Sequence, residues 1–145
     1  MPDAVSAGTF GEWTTFSAFP RRRRRDPAVD AWFARGDPLR GLVQPWFERL
    51  RACGPEVGAL IHDGRPTACA HDAAFAYVDA HAAHASIGFF FAAFLDDPAG
   101  LLEGTGKRMR HVKLRIDRMP DEAALGDLVT AAYRDIRQRL EEARA

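Results

Sequence analysis

The chain has 145 residues, 47% hydrophobic and 28% charged, with two cysteines, which suits one globular domain burying roughly two-thirds of its unfolded surface and argues against extended disorder. Its 20 basic residues equal its 20 acidic ones, a balance that excludes a global electrostatic preference for nucleic acid, anionic lipid or acidic substrates. The charge is nevertheless uneven, because Arg21–Arg25 supplies five of the positive charges and the rest of the chain is acidic by five.

Residues 1–25 form an N-terminal extension in which Phe10, Trp13, Phe16 and Phe19 lead through Pro20 into the arginine run. Mutual repulsion keeps such a run extended and solvated. One reading is a basic arm that binds nucleic acid or acidic lipid by counterion release. The other is a solvated turn with arginine stems lying over the aromatics. The run is short and borders Asp26 and Asp30, so nucleic acid is not an expected partner. Trp13, Phe16 and Phe19 have no place in the main core pattern and offer a surface for a homodimer. No secretory signal pattern follows Met1, and the longest uncharged apolar stretch, Ala85–Leu95, is about half of what a membrane helix needs. No membrane partner is expected. Cys53 and Cys69 lack the spacing of a thiolate metal site or a disulfide framework, which suits a reducing, cytoplasmic setting.

Residues 26–145 read as a single α+β domain. Asp26-Pro27 supplies a helix cap and first turn, with Val29, Trp32 and Phe33 on one face. Gly36-Asp37-Pro38 ends that helix. A second carries Leu39, Leu42, Val43, Trp46, Phe47 and Leu50 on one face and stops at Gly54-Pro55. Pro45 predicts a kink or break near Gly41–Gln44. Short apolar runs then predict strands at Val57–His62, Thr67–Ala70, Ala74–Ala80 and Ala85–Leu95, with Asp63-Gly64 as a hairpin turn. The last of these, rich in Phe89–Phe91, reads as central and covered on both faces. Asp96-Asp97-Pro98 predicts a short helix over Ala99–Leu102. A glycine loop, Glu103–Lys107, and a strand, Arg108–Ile116, follow. Pro120-Asp121-Glu122 opens a long closing helix with Leu125, Leu128, Val129, Ala132, Ile136 and Leu140 on one stripe. Helices, then strands, then a helix predict an antiparallel or mixed sheet flanked by N-terminal helices and a long C-terminal helix.

The stretch LLEGTGKRMRHVKLRI, Leu101–Ile116, is the richest in chemistry. Between Glu103 and Arg118 six basic residues face two acids, whereas residues 48–100 hold three against seven. Gly104 and Gly106 flank Thr105 and can take positive φ, exposing backbone N–H groups as an anion-binding nest. The loop is not a Walker A motif: the glycine spacing is short by one, and Arg108 stands where a magnesium-binding hydroxyl belongs. If Val112, Leu114 and Ile116 face the core, Arg110 and Arg108 share that face near the strand entrance. An inward arginine needs either an internal acid, for which Asp79, Asp96 and Glu103 are candidates, or a ligand. Gly104, Thr105, Gly106, Lys107, Arg108 and Arg110 are therefore the candidate ligand-binding residues, suited to a small carboxylate or phosphate.

No catalytic site emerges. Ser86 and Cys69 sit in strands without a nucleophile elbow. His111 is the base nearest the loop, but strand parity sets it opposite Arg110. His62, Asp63, His71, Asp72, His81 and His84 cluster in hairpin loops, yet HxxH on a turn lacks the helical spacing of a zinc site. No metal site and no cofactor are assigned.

At these residues the block His62–Ile116 resembles the YdhG-like domain family of small bacterial proteins, catalogued as a domain of unknown function. The likeness is most specific at Gly88–Phe90, Leu101–Lys107 and Met109–Leu114, and extends more loosely over about residues 27–142 through VDAWF (Val29–Phe33) and the flanking helices. It departs at His81, where the family pattern has an apolar or aromatic residue, and at Ala80, Ala82 and Ala85, which replace larger ones. The resemblance implies a compact α+β fold with an antiparallel sheet. Some members are described as frataxin-like iron chaperones, which would implicate Asp72, Asp79, Asp96, Asp97 and Glu103. The expectation drawn is a cytoplasmic, non-enzymatic protein that binds a small anionic ligand through residues 103–115, with an iron or metal chaperone as the alternative.

Overall fold

The computed structural model describes residue 18 and residues 25–144. The proposed arginine arm before Arg25 and the aromatics Phe10, Trp13, Phe16 and Phe19 lie outside the described residues.

Asp26 and Asp37 each accept a bond from a backbone N–H two residues on, at 2.8 Å, and a proline follows each as the first helical residue. These caps start α1 (Pro27–Phe33) and α2 (Pro38–Arg51). Contrary to the expected break, α2 runs unbroken through Pro45. Pro45 is exposed, and Val43, Trp46, Phe47 and Leu50 bury themselves on either side of it. That packing outweighs the one backbone bond that proline removes.

Five strands follow: β1 (Val57–His62), β2 (Arg65–Ala70), β3 (Ala73–Ala80), β4 (Ala85–Phe89) and β5 (Arg110–Leu114). They pair in sequence order, each antiparallel to the next. The Asp63-Gly64 turn is as predicted, with φ of 52° and 76°, the doubly positive geometry that matches hairpin twist. At the other end of β2, His71 takes φ 51° in a second two-residue turn. A bulge where β2 passes Ala68 and Cys69 leaves Phe75 of β3 unpaired. Because this extra residue shifts parity, Ala73 and Phe75 on one side of the shift and Ala76 and Val78 on the other all join the main core.

Two segments differ from expectation. The apolar stretch Ala85–Leu95 is a strand only to Phe89 and then turns into a 3-10 helix, Ala92–Phe94. The Ala93 N–H bonds the Arg108 carbonyl at 2.9 Å, tying that turn to the strand that follows. The short helix expected over Ala99–Leu102 is absent. Gly100 has φ 68°, and the two Asp97 carboxylate oxygens accept the N–H groups of Leu101 and Leu102, each at 2.9 Å. A left-handed glycine and a side chain that claims the next two donors end the turn before a helix can propagate.

The chain closes with α3 (Glu122–Arg144). Leu125, Val129, Ile136 and Leu140 of α3 join Trp32, Phe47, Phe75, Ile87, Phe89, Val112 and Leu114 in one core. The three helices among the described residues thus pack on the same face of the sheet, which is the predicted α+β architecture. The other face of β4 is closed by side chains of the sheet rather than by a second helical layer among the described residues. Tyr77 pairs across from Gly88, its ring occupies the space a Gly88 side chain would need, and Phe90 meets it edge-on at 6.0 Å. Arg65 stacks over Tyr77 at 3.8 Å.

A polar clamp joins α3 to the residues leading into β1. The Tyr133 hydroxyl donates to Glu56 at 2.5 Å and Arg137 donates to the same oxygen at 2.7 Å. Gly54 has no side chain to displace Tyr133 and Glu56 from this contact.

Candidate functional site

The backbone of Glu103 pairs with that of His111 through two bonds, 2.8 and 2.9 Å. This pairing lays residues 101–103 along the outer edge of β5 and throws residues 104–109 out as an exposed loop. Gly104 needs its glycine, with φ 119°, whereas Gly106 does not take positive φ. Only one of the two flanking glycines therefore adopts the geometry that the nest required.

Strand parity holds for Arg110, which pairs with the core residue Phe89. Its guanidinium bonds none of the acids expected of it: Nη1 donates to the carbonyls of Gly106 and Met109, the latter at 2.7 Å. Arg110 thereby ties the loop to itself. Asp79 lies 3.9 Å from Arg65, and Glu103 lies 3.4 Å from Lys113. Thr105, Lys107 and Arg108 are exposed on the loop.

The opposite side of β5 gathers more charge. Lys113 and Arg115 alternate with the core residues Val112 and Leu114. Beyond the strand, Arg115 and Arg118 pair through their backbones at 3.2 and 3.4 Å, which sets their side chains beside each other. Lys113, Arg115 and Arg118 line a surface groove of about 310 Å³, closed by Gly100, Leu101 and Pro120, with Glu103 as its one acid among the described residues. The Asp97 bonds to Leu101 and Leu102 hold the wall of this groove.

The histidines at the β3–β4 turn feel the same charge. His81 and His84 stack at 4.6 Å, and His81 meets Ser86 at 3.3 Å. Burial lowers the His84 pKa, and His81, Lys113, Arg115 and His111 lower it further by repulsion. His71 and Asp72 stand at the other end of the sheet, in the β2–β3 turn. Among the described residues, no three His, Cys, Asp or Glu side chains come together as a metal site. Cys69 is buried and Cys53 is partly so. Burial raises the Cys53 pKa, with Arg49 opposing and Glu56 assisting, so the Cys53 thiol is not activated by its surroundings.

The candidate loop and the groove are thus neighbours with different fates: Arg110 is occupied by the loop, while Lys113, paired with Glu103, and Arg115 border the open groove. The same alternation that sets His111 opposite Arg110 puts Lys113 and Arg115 on the non-core face; what the sequence does not display is the turn that adds Arg118 and the aspartate that shapes the wall. No described helix is long and apolar enough to cross a membrane. The chain matches no family model, no curated protein and no solved structure.

Proposed function

We propose that this chain is a cytoplasmic, YdhG-like binding protein without catalytic activity that holds a small anionic ligand along the 103–118 region, in the groove beside β5. The observation that carries the reading is the convergence of Lys113, Arg115 and Arg118 on one groove that holds a single acid among the described residues. Arginine forks and a lysine ammonium suit carboxylate or phosphate oxygens. Arg110, by fastening the loop through the Gly106 and Met109 carbonyls, supports the rim, and Lys107 and Arg108 add positive potential there. Titration calorimetry with pyrophosphate and with citrate tests the reading. Binding should weaken at least about tenfold in Lys113→Gln/Arg115→Gln, the loss of charge-assisted bonds. Equal affinity in the variant would refute the groove.

The iron-chaperone alternative draws on a different set of side chains. Asp79, Asp97 and Glu103 of that set already engage Arg65, backbone N–H groups and Lys113 respectively. Iron titration of the same protein would return this reading to the front if micromolar binding depended on Asp96 and Asp97.

A further inference from the structure

The opposite edge of the sheet holds a second concentration of charge, at the end of α2. Arg51 is the last residue of that helix, and its side chain is only 8% exposed. Its Nε, Nη1 and Nη2 are all buried without a hydrogen-bond partner. Leaving a charged donor group in that state is costly unless something accepts its protons.

The nearby acids do not accept them. Asp30 and Glu48 each approach the guanidinium at 3.9 Å, beyond hydrogen-bond range. Both are shared with Arg25, at 3.3 and 3.9 Å. The Phe47 ring lies 4.9 Å from the guanidinium carbon, packing that fixes the group in place. Arg25, Glu48 and Arg51 line a cavity of about 350 Å³, completed by Ala52 and Val57.

We propose that the Arg51 cavity is a binding site for an oxyanion group, phosphate or carboxylate, of a small ligand. The Arg51 fork donates to the oxyanion from the buried side, and Arg25 approaches it from the exposed side. Asp30 and Glu48 hold the two guanidinium groups near each other without using the donors of Arg51. This site lies at the β1 edge and is independent of the groove at β5.

The test is calorimetric titration of the full chain with inorganic pyrophosphate and, separately, with malonate. It is repeated on Arg51→Met, which keeps the side-chain bulk and removes a buried cation that has no hydrogen bond, so the fold should survive. The titrations are also run on Lys113→Gln/Arg115→Gln, which disables the β5 groove; the expected result is a residual binding event for at least one probe that persists in that background and weakens about 30-fold or more when Arg51→Met is added. The probe that binds distinguishes phosphate from carboxylate chemistry. As a readout that needs no variant, the Arg51 Nε–Hε resonance should shift on addition of that probe. A resonance that stays in place with both probes, or affinities that do not depend on Arg51, would overturn the proposal.

Discussion

Replacing Tyr133 by phenylalanine isolates the clamp between α3 and β1. The substitution keeps the ring and its edge-on contact with Phe75, 5.9 Å between centroids, and removes only the hydroxyl that donates to Glu56 at 2.5 Å. The Glu56 side chain is 11% exposed, and its other oxygen is buried without a hydrogen bond, so no spare acceptor geometry compensates. A hydrogen bond to a charged group contributes about 1.5–3 kcal/mol. A loss near 2 kcal/mol in a chain of this size lowers Tm by about 4–8 °C at neutral pH. The acid response is a second readout. Burial pushes the Glu56 carboxyl up, but the bond from Tyr133 and the charge and bond of Arg137 together pull it below the usual range. A carboxyl depressed in the folded state stabilises fully above its unfolded pKa, about 4.3, and loses that contribution as pH falls through the folded value. Burial and the Glu56 bond both raise the Tyr133 pKa, so the phenol remains a donor throughout. Thermal melts by circular dichroism from neutral to strongly acidic pH should show the deficit of Tyr133→Phe shrinking on acidification. An unchanged Tm at neutral pH, or a deficit undiminished after the carboxyl is protonated, would refute this reasoning.

Two further substitutions probe the sheet and the groove wall. Gly88→Ala drives a methyl into the Tyr77 ring and should lower stability by about 1–3 kcal/mol, the range for overpacking, read as a lower urea midpoint at unchanged slope; a neutral result would mean that Tyr77 does not lie on Gly88. Asp97→Ala removes the acceptor of two backbone N–H groups and should cost about 1–2 kcal/mol, as for a helix cap. Hydrogen exchange at Leu101 and Leu102 should accelerate in that variant, and unaltered exchange would count against the role assigned to the carboxylate.

Much of the fold was legible because local rules and packing agree. The Asp-Pro caps, the Asp63-Gly64 turn and the stripe of α3 each act within a few residues, so spacing alone reveals them. The break expected at Pro45 did not form because a local cost was set against burial of Trp46 and Phe47, which no window on the sequence weighs. The short helix at Ala99–Leu102 failed for the opposite reason: Asp97 and Gly100 impose a tighter local bond pattern than helix propensity suggests. The bulge at Phe75 had no distinct signal in an alanine-rich strand. At the site, alternation identified the charged face of β5, but the partner of Arg110 was a pair of loop carbonyls, which sequence does not display. Arg51 reads in sequence as one more charged residue at a helix end; only its burial against Phe47 sets it apart.

The central claim is that an anion binds among Lys113, Arg115 and Arg118. Its most direct measurement is an amide chemical-shift map of the full chain titrated with pyrophosphate. The account predicts saturable shifts concentrated at Leu101–Glu103 and Lys113–Arg118, abolished in Lys113→Gln/Arg115→Gln. Saturation with no perturbation at those residues, or the same shifts in the variant, would contradict it.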